Sequence, residues 1–138
     1  MAFRIQQPVR HPDVDRAGIV YFPRFYDFFH RALEDFFAQE VGIPYHAIGE
    51  EFRIALPVVR IETDFERPLA HGDLVTVEVE TEKIGEHALT LRYKVIRPGV
   101  PEPAAVSRIV VCAIEVPGWK KAPIPALVRR AFEKHLAR

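Results

Sequence analysis

The chain has 138 residues, 49% of them hydrophobic and 28% charged, with 19 Lys+Arg balancing 19 Asp+Glu to a formal net charge of zero. This length suits one domain over residues 1–138 that buries roughly two thirds of its unfolded surface, while the balanced charge gives no cationic field for nucleic acid or an anionic membrane and little self-repulsion against self-association. Cys112 is the single cysteine, which excludes an intrachain disulfide, and no apolar run of about 18 residues or signal-peptide pattern occurs, so the expected location is the cytoplasm.

Residues Phe3 to Val9 read as a short first strand, and the polar stretch from His11 to Ala17, closed by Gly18, reads as a turn. From Pro23 the period becomes helical: Phe25, Phe28, Phe29, Ala32, Leu33, Phe36 and Phe37 recur at spacings of three and four. Pro23 suits a first helical position, where its missing N–H costs nothing, and Gly42 with Pro44 ends the helix. Six of the ten phenylalanines lie between Phe22 and Phe37, so a wide stripe must be covered, and a single sheet wrapped around the helix would cover it.

Four strands are expected next. Pro57 to Phe65 supplies one, closed by Pro68 and the Gly72-Asp73 turn. Val75, Val77 and Val79 alternate with Thr76, Glu78 and Glu80, and Leu89, Leu91, Tyr93 and Val95 alternate with Thr90, Arg92 and Lys94. This period of two marks strands with one buried and one wet face, and Gly85-Glu86 and Pro98-Gly99 turn them into antiparallel neighbours. Val106 to Val116 is apolar on both faces, as a central strand would be, and Cys112 within it reads as inert core packing. Helical spacing returns from Ile124 to Leu136. Strand, long helix, four strands and a short helix give an α+β layer.

The segment that carries chemistry runs from Asp13 to Pro23. Asp15-Arg16-Ala17-Gly18 has aspartate first and glycine fourth, a type I turn preference that by itself signifies only a turn. Ile19 to Pro23 then leads directly into a helix start, where unpaired backbone N–H groups and the positive end of the helix dipole gather. Such a site holds a carbonyl and stabilises its developing oxyanion, and a neighbouring carboxylate can attack that carbonyl or activate a water.

The run Asp13-x-Asp15-x-Ala17-Gly18-Ile19-Val20-Tyr21-Phe22-Pro23, after a first strand and opening a long helix, closely resembles the 4-hydroxybenzoyl-CoA thioesterase and YbgC-like group of enzymes. The resemblance implies an α+β hotdog fold, a five-stranded antiparallel sheet wrapped around a long central helix. It also implies homodimers assembling into homotetramers, with active sites at the subunit interface, and an acyl-CoA thioesterase that needs no cofactor. Asp15 is then the catalytic carboxylate, as nucleophile or general base, and the backbone amide near Phe22 polarises the carbonyl. Gly18, Tyr21, Tyr26 and His87 fall at substrate-binding or neighbouring positions.

The YbgC-like branch commonly carries histidine where this chain has Phe22, whereas the hydroxybenzoyl branch has Phe-Pro as here, so the resemblance tilts the acyl group towards benzoyl or hydroxybenzoyl. The stretch Lys83 to His87 lacks the tryptophan and most of the basic residues that the aryl enzyme uses there, which keeps a short-chain aliphatic acyl group in contention. The residues also leave open a hotdog dehydratase and a non-catalytic acyl-CoA-binding protein. No histidine has a metal-ligand spacing partner and no phosphate-cradling glycine motif occurs, so neither a metal nor a bound cofactor is expected. His30, His71, Glu34, Asp35, Lys120 and Lys121 read as surface or packing residues.

Overall fold

The aromatic run folds as expected in the computed structural model, which describes residues 1–137. Helix α1 (Arg24–Phe36) continues into a wider turn at Phe37–Val41 and stops at Gly42, whose φ of 84° is the left-handed conformation glycine adopts freely. Phe28, Phe29, Phe36 and Phe37 are all at most 1% exposed. Burying each stabilises the fold by about 1.5–3 kcal/mol relative to leaving it in water.

The covering layer is one antiparallel sheet of β1 (Phe3–Pro8), β3 (Val58–Phe65), β4 (Leu74–Ile84), β5 (Ala88–Ile96) and β6 (Ala105–Cys112), in the spatial order β1-β4-β5-β6-β3. Registers such as Val77↔Val95 and Leu91↔Ile109 align the buried sets, so Val75, Val77, Val79, Leu89, Leu91, Tyr93 and Val95 face the helix together. A slip of one residue would turn each set outward. The long helix in the curve of a five-stranded sheet is the hotdog fold that the resemblance implies.

Some boundaries differ from the sequence reading. The strand expected over Val106 to Val116 is an inner one, between β5 and β3, but it stops at Cys112. Ile114–Glu115 leaves the main sheet as β7 to pair with β2 (Ile54–Ala55), which follows a short helix α2 (Ile48–Phe52). The break is tied down by the Ala113 N–H donating to the His87 carbonyl at 2.7 Å. Cys112 is half-buried instead of buried, because its side chain alternates away from the inward-facing Val111 and Ala113. At the tail, helix α3 is Ala126–Glu133, shorter than the spacing from Ile124 implies. Two prolines, Pro123 and Pro125, keep Ile124 extended, and its N–H donates to the Glu86 carbonyl at 3.0 Å.

At the C-terminal end of α1 the layers are closed. Phe36 stacks on Phe132 of α3 with ring centroids 4.3 Å apart, and the Thr81 hydroxyl donates to the Phe132 carbonyl at 2.8 Å. One nitrogen of His135 bonds the Met1 carbonyl at 2.8 Å and the other bonds Glu40, so this side chain ties both ends of the chain to the helix. Edge strand β3 is the opposite case. Its inward-facing Ile61 and Phe65 remain 45% and 46% exposed because β3 is the sheet edge and the start of α1 covers Phe65 only on one side.

Candidate active site

The turn before α1 is a tight hairpin. The Asp15 N–H donates to the Ile19 carbonyl at 2.9 Å and the Gly18 N–H returns to the Asp15 carbonyl at 3.0 Å, while Val14 and Val20 pair across it. Gly18 has a φ of 82°, so the turn is a type I turn closed by a glycine bulge. Its outgoing arm is pinned by the Val20 N–H on the Leu69 carbonyl at 2.8 Å and by a bridge between Ile19 and Ala70.

The two carboxylates of this segment take different places. Asp13 is 5% exposed, and its Oδ2 accepts the Arg10 N–H at 2.9 Å. Its carbonyl accepts the Tyr21 N–H at 2.9 Å, so Asp13 holds the ends of the hairpin together. Asp15 is exposed, and its Oδ1 accepts the Ala17 N–H at 2.9 Å, an Asx turn that fixes the carboxylate's direction. Its Oδ2 has no protein partner among the described residues.

Helix α1 begins without a side-chain cap at Pro23, which has no N–H. The Arg24, Phe25 and Tyr26 N–H groups turn back to the carbonyls of Tyr21, Phe22 and Pro23 at 2.8, 3.1 and 3.1 Å. That leaves the Phe22 N–H with no acceptor among the described residues, at the positive end of the helix dipole. A cavity of about 540 Å³ opens beside the hairpin, and Asp15, Tyr21, His11, Arg16 and Arg24 line it.

Beside this cavity lies an aromatic surface. Tyr21 and Phe22 are 53% and 57% exposed, and the Phe22 ring meets Phe65 of β3 edge-on at 6.1 Å. Phe25 and Tyr26 also meet Phe65 edge-on, at 5.2 and 6.5 Å. Between helix and strand runs one polar chain. The Tyr26 hydroxyl donates to Thr63 Oγ1 at 2.9 Å, and Thr63 Oγ1 bonds Ser107 Oγ at 2.8 Å.

The structure therefore brings Asp15, Gly18, Tyr21 and Phe22 into one segment and sets Tyr26 alongside it. It does not bring His87 to them within one chain. His87 sits in the turn between β4 and β5, at the end away from Leu74, with Nδ1 on the Ala122 carbonyl at 2.8 Å. The hairpin adjoins residues 69–73, so the length of β4, about 30 Å at the usual strand rise, separates the two. His30 is exposed and meets the ring of Tyr45 at 5.0 Å.

The sequence reading does not single out Phe65, Thr63 and Ser107. A signal is present in the alternation of Ile61, Thr63 and Phe65 along a strand, but the face they occupy follows only from the register Thr63↔Ser107 and Phe65↔Ala105.

A model of the thioesterase-like superfamily matches residues 9–132. A 1,4-dihydroxy-2-naphthoyl-CoA hydrolase from Prochlorococcus marinus (strain NATL2A) is 34% identical over 102 residues, which span 69% of this chain and 65%, just under two thirds, of that relative. Among solved structures, a 1,4-dihydroxy-2-naphthoyl-CoA thioesterase from Synechocystis superposes with a TM-score of 0.87 at 27% identity, covering 96% of each chain. A gentisyl-coenzyme A thioesterase superposes with a TM-score of 0.80 at 25% identity, covering 94% of this chain and 99% of the other.

Proposed function

Because the chain belongs to the thioesterase-like superfamily, we propose that it hydrolyses an acyl-CoA thioester bearing an aromatic acyl group, with Asp15 as the catalytic carboxylate. The observation that carries this reading is the pairing, on one short segment, of an exposed carboxylate with a free Oδ2 and a helix-start amide, Phe22 N–H, that has no protein acceptor among the described residues. A thioester carbonyl held at that amide gains a donor as its oxygen becomes an oxyanion. Asp15 then acts in one of two ways. As general base it takes a proton from water as the water attacks the carbonyl, and coenzyme A leaves as the thiolate. As nucleophile it forms a mixed anhydride that water hydrolyses after the thiolate has gone.

Three features favour an aromatic acyl group. Tyr21, Phe22 and Phe65 expose rings next to the Asp15 cavity. Phe22-Pro23 follows the pattern of the hydroxybenzoyl branch, and the similar proteins are named for aromatic acyl-CoAs. Edge rings of this kind stack offset or edge-on with a planar acyl group.

The working unit in this reading is a homodimer built along β3, assembling further to a homotetramer. An edge strand that exposes Val58, Val59, Ile61 and Phe65 leaves a row of backbone groups for another strand to pair with. Antiparallel pairing of β3 with its copy places the Phe65 end of one chain beside the Val58 end of the other. Val58 pairs with Val111, two residues before the Ala113 whose N–H bonds the His87 carbonyl, so the pairing carries the second copy's His87 towards the Asp15 hairpin. That gives His87 a route to the substrate which one chain lacks.

The test is thiol release from a panel of benzoyl-, hydroxybenzoyl-, dihydroxynaphthoyl-, short-chain and long-chain acyl-CoAs, with wild type and Asp15→Asn. Hydrolysis of the aryl substrates that Asp15→Asn abolishes is the expected outcome. A variant that releases thiol at the wild-type rate overturns the role of Asp15, and turnover confined to aliphatic substrates overturns the aromatic assignment. Single-turnover hydrolysis in isotopically heavy water tests for the nucleophilic role: water attacking the aspartyl carbonyl of the anhydride leaves Asp15's light oxygen in the product and heavy oxygen in Asp15, which a general base never does.

A further inference from the structure

The inner face of β3 is apolar except at one place. Ile61 and Phe65 flank Thr63 on that face, and Thr63 faces Ser107 of β6 across the strand pair. Ser107 is 0% exposed, so its hydroxyl needs a protein partner, and Thr63 Oγ1 at 2.8 Å supplies it. That need ends at Thr63. The chain nevertheless continues, because Tyr26 reaches from α1 to donate its phenolic proton to the same Oγ1 at 2.9 Å.

The consequence lies in what each hydroxyl has left. A hydroxyl carries one proton and two lone pairs. Tyr26 spends its proton on Thr63, so the capacity its oxygen has left is that of an acceptor. A donor bound there also polarises the Tyr26 proton towards Thr63, which strengthens the chain. Around Tyr26 stand Phe65, edge-on at 6.5 Å and itself in contact with exposed Phe22, and the buried ring of Phe29, edge-on at 5.7 Å. This aromatic surface therefore combines exposed rings with one oriented acceptor, the complement of an aromatic ring that bears a hydroxyl donor.

We propose that the Tyr26–Thr63–Ser107 hydroxyl chain is a specificity element that selects ring-hydroxylated aryl acyl groups over the unsubstituted ring. This rests on the aryl-CoA reading above and adds to it the residues that choose among aryl groups. Tyr26 meets the substrate; Thr63 and Ser107 act through it by holding its proton and fixing its direction.

The measurement is the ratio of kcat/KM for hydroxybenzoyl-CoA to that for benzoyl-CoA, with the hydroxyl at each ring position, in wild type, Tyr26→Phe, Thr63→Val and Ser107→Ala. Sites built to bind a hydroxyl discriminate strongly against its absence. Wild type is expected to favour one hydroxylated isomer by at least about tenfold, and Tyr26→Phe to bring that ratio to about one, the loss of a single hydrogen bond. Thr63→Val leaves Tyr26 in place but frees its proton, and is expected to lower the ratio by a smaller factor; Ser107→Ala, one bond further away, is expected to lower it least. Circular dichroism and melting curves identify variants that have lost the fold, and the ratio is read only on folded ones, Ser107→Ala providing the mildest change. A wild-type ratio near one, or a ratio that Tyr26→Phe leaves unchanged in a folded variant, overturns the proposal while the thioesterase reading stands. Absence of turnover with every aryl-CoA overturns the aryl reading and this proposal together.

Discussion

The two ends of α1 are finished in opposite ways. At the C-terminal end, Phe36 stacks on Phe132, Glu40 bonds His135, His135 bonds the Met1 carbonyl, and Gly42 turns the chain away. At the N-terminal end, Phe22 N–H has no acceptor among the described residues, Asp15 has a free carboxylate oxygen, and the rings of Tyr21 and Phe22 face solvent. Exposed rings beside a free helix-start amide and a free carboxylate oxygen leave this end of α1 open to a ligand, whereas the other end is filled by packing. Substitutions at the closed end should therefore act on stability, and those at the open end on turnover.

The largest expected effect tests the closed end. Phe132→Ala removes a ring that is 0% exposed and stacked on Phe36, and denaturant melts should show a loss of about 3–5 kcal/mol. If the protein instead melts normally and loses only activity, the contrast between the ends fails. Next is Asp15→Asn, which keeps an oxygen for the Ala17 N–H and so preserves the hairpin. Turnover should fall at least about a hundredfold, or about 2.7 kcal/mol in the barrier, with an unchanged melting midpoint.

His135→Ala is smaller. It removes two hydrogen bonds and the edge contacts of the imidazole with Phe3 and Phe36, and about 1–3 kcal/mol of stability should go with them, read by chemical denaturation, while thiol release from the native protein persists. The smallest effect sharpens the comparison from outside both ends. On the outer sheet face Arg108 bonds Glu82 at 2.6 and 2.7 Å, and this bond holds the Glu82 carboxyl below its ordinary pKa. A lowered folded-state value means stability that is present above the ordinary carboxylate range and lost as the pH falls through the lowered value. Glu82→Gln should flatten that acid limb slightly, and 1 M salt should flatten it in the wild type as well, since an exposed pair is screened.

Much of this was legible in the residues. The 3.6-residue recurrence of phenylalanine set the long helix, and the alternation in Val75–Val79 and Leu89–Val95 set the inner strands, because each pattern reports which face of one element is buried. The Asp15 turn was legible too, since Asp-x-x-Gly fixes local backbone geometry without help from elsewhere. The division of labour between Asp13 and Asp15 was not: the two look alike in sequence, and only the folded segment, with Asp13 bonded to the Arg10 and Tyr21 N–H groups, buries one and exposes the other. Nor was the early end of β6, where Ile114–Glu115 is claimed by Ile54–Ala55 from a distant part of the chain.

By itself, then, the sequence determined the elements, their apolar faces and the turn that aims Asp15, all of which depend on neighbours a few residues apart. Tertiary structure alone decided that Phe65 meets Phe22 and that Thr63 and Ser107 join Tyr26 in one hydroxyl chain, that His87 stands a strand's length from the Asp15 hairpin, and that β3 is an uncovered edge. Those facts depend on strand order and register, which bring together residues 37 and 44 positions apart along the chain, and no local pattern of amino acids encodes such a distance.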